Sequence, residues 1–109
     1  MTVNKQPASR PHDAAVVELL KADPDFANEY LAAALEEADQ PGGQTALLAA
    51  LRHVAEAQGM AAVAERAGIP RESLYRALGP KGNPTIKTLL AVLGAAGLHL
   101  AVTRDSAHA

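Results

Sequence analysis

A glycine-centred corner constrains this chain more than anything else in it. Between Met60 and Leu78, two short helical patterns meet at Gly68-Ile69-Pro70. Ala64 is small where two helices would cross closely. Gly68 follows Ala67 where a chain leaving a helix takes a left-handed conformation open mainly to glycine. Pro70 is a residue favoured just inside a helix start, where its missing N–H is no loss. Ile69 and Leu74, with Val63 and Ala67, are the expected apolar staples of the corner. In the second helix the polar residues fall at Arg71, Glu72, Ser73, Tyr75 and Arg76, leaving Leu74, Ala77 and Leu78 to face inward at i, i+3, i+4 spacing. One face packs and the other is free to touch something, which is the pattern of a helix-turn-helix.

With 109 residues there is room for one compact domain and frayed ends, not for two domains. The apolar residues are mainly Ala, Leu and Val, with one Phe, two Tyr and no Trp, so the expected helices are thin and closely packed. The absence of cysteine excludes disulfides and thiolate metal sites. No stretch resembles a signal peptide or a membrane span, which makes a cytoplasmic location the expectation.

The net charge of −2 conceals two opposed halves. From His12 to Gln58 the acids Asp13, Glu18, Asp23, Asp25, Glu29, Glu36, Glu37, Asp39 and Glu56 face only Lys21 and Arg52. From Gly59 to Ala91 the balance reverses, with Arg66, Arg71, Arg76, Lys81 and Lys87 against Glu65 and Glu72. Two solvated faces would give the same pattern. Because the basic half coincides with the corner, it points instead to two different partners.

Along the chain, residues 1–12 read as a disordered tail and 104–109 as a second one, flanking a single domain at 13–103. Asp13 is expected to cap a helix reaching Ala22. Asp23 and Pro24 open a second helix that runs to about Ala38, with Phe26, Tyr30, Leu31, Ala34 and Leu35 on its apolar side. These acidic helices occupy 13–40. After the Pro41-Gly42-Gly43-Gln44 loop, Thr45 caps a helix bearing Leu47, Leu48, Leu51, Val54 and Ala55, and the helix-turn-helix core spans 45–97. Gly79 to Pro84 form a loop. Thr85 then caps a last helix whose expected buried row is Ile86, Leu89, Leu90 and Leu93. Leu98, Leu100 and Val102 alternate with polar or small residues, predicting a short strand at 98–103. A lone strand needs a partner, and the same strand of a second copy is the most economical one, so a two-fold homodimer is expected.

The segments D-P-D-F-A-N-E-Y-L-A-A-A-L-E-E, L-L-A-A-L-R-H-V-A-E-A-Q-G-M, R-A-G-I-P-R-E-S-L-Y-R-A-L and G-N-P-T-I-K-T-L-L-A-V-L together resemble one family. They are similar to the addiction-module antidote proteins, HigA-like antitoxins with a lambda-repressor (Xre) type helix-turn-helix, over roughly residues 13 to 103. The resemblance implies an all-α bundle of that type, with an N-terminal helical extension and the short C-terminal strand. It also implies a small basic RelE/HigB-like toxin as partner, and double-stranded operator DNA through which the antitoxin represses its own operon. Two departures stand out. Ala61 and Ala62 lie where relatives often carry Ser or Thr and Gln, and the Pro41-Gln44 loop is longer than usual.

A reading helix contacts base edges from its N-terminal turns, so Arg71, Glu72, Ser73, Tyr75 and Arg76 are the candidate base-reading residues. Arg71 or Arg76 can clamp a guanine, and Glu72 can accept from a cytosine amine. Lys81, Asn83, Thr85 and Lys87 follow, where a loop and a helix N-terminus can hold phosphate. Packing of Tyr75 on the surface, an i, i+4 pair between Glu72 and Arg76, and a plain turn role for Asn83 are the bland counterparts.

The histidines lack ligand spacing, and adjacent Glu36 and Glu37 diverge by about 100° on a helix. No metal, cofactor or enzymatic activity is therefore expected. The alternatives to an antitoxin are a stand-alone Xre-type transcription regulator without a toxin, or a protein-interaction module that no longer binds DNA.

Overall fold

The computed structural model describes residues 10–104, in which six helices are the only regular elements. They are α1 (Arg10–Ala22), α2 (Phe26–Glu36), α3 (Gly43–Gln58), α4 (Met60–Ala67), α5 (Arg71–Ala77) and α6 (Ile86–Ala95). Residues 1–9 and 105–109, most of the two expected tails, lie outside the described residues. Helix α3 is the scaffold. Both α1 and α2 pack on it from one side, while α4 joins it to α5 and α6. Val63 of α4, Leu74 of α5, Leu78 just beyond it and Val92 of α6 are the largest fully buried side chains. They share a core with Leu51 and Val54 of α3.

The expected corner is present in detail. Gly68 is left-handed, with φ of 72°. The Ile69 N–H donates to the Ala64 carbonyl at 3.0 Å and the Gly68 N–H to that of Glu65 at 3.1 Å, so two otherwise orphaned carbonyls of α4 are satisfied. Ala64 is buried at the crossing and Ile69 packs on the core. Pro70 stands one position earlier than expected, as the residue preceding the first helical residue, Arg71. The start of α4 has no side-chain cap because its N-cap residue is Gly59; Ala61 and Ala62 lie inside the helix, past the capping position.

The Pro41-Gln44 loop is tight. Gly43 begins α3, two residues before Thr45, and a Cβ there would collide with the carbonyl of Glu37. Glycine at this position lets α2 and α3 turn back on each other closely.

Other expectations need correcting. Helix α1 begins at Arg10, before the expected cap at Asp13, and Asp13 makes a long-range contact described below. Asp23 and Pro24 form a turn, and α2 starts at Phe26 and ends at Glu36. On α2 the deeply buried residues are Ala27 and Leu31, while Leu35 is exposed. In α6, Thr85 is the cap, accepting from the Thr88 N–H at 3.1 Å. Its buried face, however, is rotated: Val92, Leu93 and Ala95 are buried, whereas Ile86 is 74% and Leu90 47% exposed. The helix packs mainly on α4, and its deeply buried residues lie in its C-terminal half.

The predicted strand is absent. Residues 98–104 have no regular secondary structure, because nothing else in the described chain offers a strand with which to form a ladder. Instead Gly97 ends α6 in the left-handed region, and the Leu98 N–H donates to the Leu93 carbonyl at 2.8 Å. Leu98 packs on the core of its own chain.

One connection had no counterpart in the sequence reading. His53 of α3 is 3% exposed, and both its ring nitrogens are engaged. Nε2 lies 2.8 Å from the Asp13 carboxylate of α1, to which its proton is donated. Nδ1 lies 2.7 Å from the Tyr30 hydroxyl of α2, which donates to it in the neutral ring. This polar junction ties both acidic helices to the scaffold.

Burial, reinforced by the nearby Asp13 charge and only partly offset by Arg52, raises the Tyr30 pKa above its ordinary value of 10.0. The folded chain therefore holds this proton more tightly than the unfolded chain does. The resulting stabilisation is complete below the ordinary tyrosine pKa and is lost as pH rises through the folded value. Tyr30→Phe is predicted to cost about 1 kcal/mol near neutrality through the lost hydrogen bond. That deficit should persist up to the ordinary tyrosine pKa of 10.0 and shrink as pH rises above it, as wild type alone loses stability. Urea denaturation of both proteins measures it, and a deficit independent of pH contradicts the assignment.

Candidate nucleic-acid interface

The seven residues of α5 divide as their spacing dictates. Leu74, with Leu78 just beyond the helix, is fully buried, while Arg71, Glu72, Tyr75 and Arg76 are exposed and Ser73 is half-buried. The i, i+4 pair between Glu72 and Arg76 does not form. Arg76 instead makes a long contact, Nη2 to Ser73 Oγ at 3.5 Å, along its own helix. Two guanidinium groups are thus carried outward on a short helix whose other face is locked into the core.

Ser73, Arg76, Lys81 and Asn83 border one shallow cleft of about 330 Å³, together with Thr88. The structure therefore gathers four of the predicted contact residues and adds Thr88, whose side chain the Thr85 hydroxyl also reaches at 3.1 Å. Thr85 is occupied as a cap, and Lys87 is exposed in the first turn of α6, outside this cleft. Tyr75 points elsewhere. It borders a second cleft, of about 630 Å³, with Glu18, Arg52, Glu56 and Pro80 among its walls. Carboxylates on that side disfavour phosphate, so Tyr75 is set apart from the other base-reading candidates.

Two arginines do structural work that local sequence does not signal. Arg66 Nε donates to the Ala95 carbonyl at 2.8 Å, and its Nη2 to Gln58 Oε1 at 3.2 Å. Gln58 in turn donates to the Ala96 carbonyl at 3.0 Å. This clamp closes the C-terminal end of α6, where carbonyls lack intrahelical partners and cations are favoured. Arg52 Nη1 donates to the Leu78 carbonyl at 2.8 Å at the end of α5. Their partners lie 29 and 26 residues away, so neither role follows from helical spacing. Of the basic residues in the 59–91 segment, Arg71, Arg76, Lys81 and Lys87 remain available to an outside anion.

The acids of the first half are turned outward. Glu18, Asp23, Asp25, Glu29, Glu36, Glu37 and Asp39 are all exposed, with Lys21 pairing to Glu18 at 3.3 Å. Among the described residues no group of His, Asp and Glu could hold a metal ion, and no helix is long and apolar enough to cross a membrane.

The domain thus carries exposed arginines on α5 and exposed acids on α1 and α2, with α1 and Tyr75 of α5 bordering one cleft. The chain belongs to the family described as probable addiction module antidote protein, whose sequence model matches residues 8–104. It is similar to a protein of Haemophilus influenzae described as uncharacterized, with 42% identity over 59 residues, covering 54% of this chain and 61% of that protein. The chain thus matches about three-fifths of the length of that curated relative. No solved structure gives a significant match.

The clamp on α6 generates a prediction. Arg66→Ala is expected to lower stability by about 1 kcal/mol, the worth of a partly exposed hydrogen bond from a charged donor. If Arg66 is structural, urea denaturation detects that loss while affinity for DNA changes little. The reverse pattern would make Arg66 a DNA contact.

Proposed function

We propose that this chain is the antitoxin of a type II toxin-antitoxin module. In this reading it neutralises a small basic RelE/HigB-like toxin and represses its own operon as a HigA-like, Xre-type helix-turn-helix protein. It acts by binding, not by catalysis, in the cytoplasm. The observation that carries the DNA-reading part is α5, whose Leu74 is locked in the core while Arg71 and Arg76 are exposed, Arg76 in one cleft with Lys81 and Asn83. A helix of this kind entering a major groove offers its N-terminal side chains to base edges and leaves the following loop on phosphate. Family membership supports the antidote role. The outward acids of α1 and α2 supply the complementary charge for a basic toxin.

Operator half-sites read by one helix each call for a two-fold dimer. Leu100 and Val102, 42% and 98% exposed, are available to a second copy, and pairing of the 98–103 segments across the dyad would supply the ladder that one chain cannot. Leu98 contributes from within its own core.

The DNA-reading proposal is tested with a duplex from immediately upstream of the gene. Wild type is expected to prefer it over a scrambled duplex, with affinity falling steeply as salt rises. Arg71→Ala combined with Arg76→Ala should abolish the preference, each lost guanine clamp being worth about 1 to 3 kcal/mol, while circular dichroism remains that of the wild type. Equal binding of both duplexes by wild type would favour the protein-interaction reading. Co-purification with the product of the neighbouring gene tests the toxin, and a neighbourhood lacking a short basic RelE-like frame would instead leave a stand-alone regulator. Light scattering at micromolar concentration should give the mass of a dimer, and a strict monomer would contradict that part.

A further inference from the structure

The contact between Arg52 and Leu78 bears on how a helix as short as α5 can read sequence at all. Seven residues are too few to form a stable helix alone, so the direction of α5 is imposed by its attachments. At its start the attachment is the left-handed turn at Gly68, and along its length it is the burial of Leu74. At its end, Leu78 is fully buried, and its carbonyl lies in the last turn, where intrahelical partners run out. The guanidinium of Arg52, reaching from the scaffold helix α3, takes that carbonyl at 2.8 Å and places a positive charge at the negative end of the helix dipole. The loop bearing Lys81 and Asn83 departs from the same point. Arg52 itself is half-buried and borders the cleft shared with Glu18 and Glu56, an acidic setting that repels phosphate.

We propose that Arg52 is a positioning residue for sequence discrimination: by holding the Leu78 carbonyl it sets the angle at which α5 meets DNA, without itself touching the nucleic acid. This rests on the DNA-reading proposal above. A phosphate contact and a positioning contact differ in what their loss does. Losing a phosphate contact weakens all DNA equally and flattens the salt dependence, whereas tilting the reading helix removes base contacts while the phosphate count stays the same.

The test compares wild type, Arg52→Met, which keeps the stem but removes the donor and the charge, and Arg52→Lys, which restores both. Each is measured by fluorescence anisotropy on the upstream duplex and on a scrambled one across a salt series, with the melting temperature recorded beside it. Arg52→Met is expected to lose about tenfold in affinity for the upstream duplex, equivalent to one guanine contact, while binding to scrambled DNA and the salt slope stay unchanged. Arg52→Lys should recover most of the loss. An equal loss on both duplexes with a shallower slope would make Arg52 a phosphate contact, and a lower melting temperature with an intact preference would make it merely structural; either overturns the proposal. If Arg52→Met loses its helicity, Arg52→Gln, too short to reach the carbonyl, is read by the same criteria. Failure of wild type to prefer the upstream duplex overturns the DNA-reading proposal and this one with it, whereas a preference that survives in Arg52→Met overturns this one alone.

Discussion

The left-handed backbone at Gly68 reverses the chain between α4 and α5, and the rest of the structure is arranged to hold what that reversal produces. With φ at 72°, most side chains with a Cβ would strain the turn, so the direction of α5 depends on glycine at this one position. Val63 before the turn and Leu74 and Leu78 after it then fall into a single core. Their complete burial anchors one side of α5 while leaving the arginines of the other side in solvent. A helix anchored on one face and charged on the other is a rigid presenter of side chains, which is the physical requirement for reading a surface as regular as a DNA groove.

Much of the positive charge in the chain serves the fold before it serves any partner. Arg66 and Arg52 each meet the carbonyl end of a helix, and Gln58 assists at the end of α6. Such ties suit an alanine-rich protein, whose small side chains bury limited area per residue and leave helix ends close to solvent. On the opposite side, the junction of Asp13, His53 and Tyr30 replaces apolar packing with a satisfied polar contact among three helices. The acidic helices are therefore docked on the scaffold by hydrogen bonds as well as by Leu20, Ala27 and Leu31.

The sequence was most legible where local chemistry decides the outcome. Gly68, the cap at Thr85 and the inward spacing of Leu74 and Leu78 all follow from rules that span a few residues. It was least legible where the outcome depends on a distant partner. Of the expected row Ile86, Leu89, Leu90 and Leu93, Leu93 is buried and Leu89 packs on the core, but Ile86 and Leu90 are exposed while Val92 and Ala95 are buried, because the face of α6 that packs on its neighbours decides what is covered. The alternation at 98–103 satisfies a strand pattern, yet a single chain supplies no ladder. The role of His53 carries no local signal because Asp13 and Tyr30 lie 40 and 23 residues away. At the candidate interface, the division between outward and inward residues of α5 was readable. The separation of Tyr75 from Arg76 into two clefts was not, since it depends on where α1 lies.

In the proposed reading the corner and the loop after it, and not the acidic helices, meet DNA. The most direct measurement is the change in backbone amide resonances of the labelled chain on adding the duplex from upstream of its gene. The largest changes are expected at residues 71–76 and 81–88, with residues 13–39 unaffected. Changes concentrated in α1 and α2, or none anywhere at saturating duplex, would contradict the account.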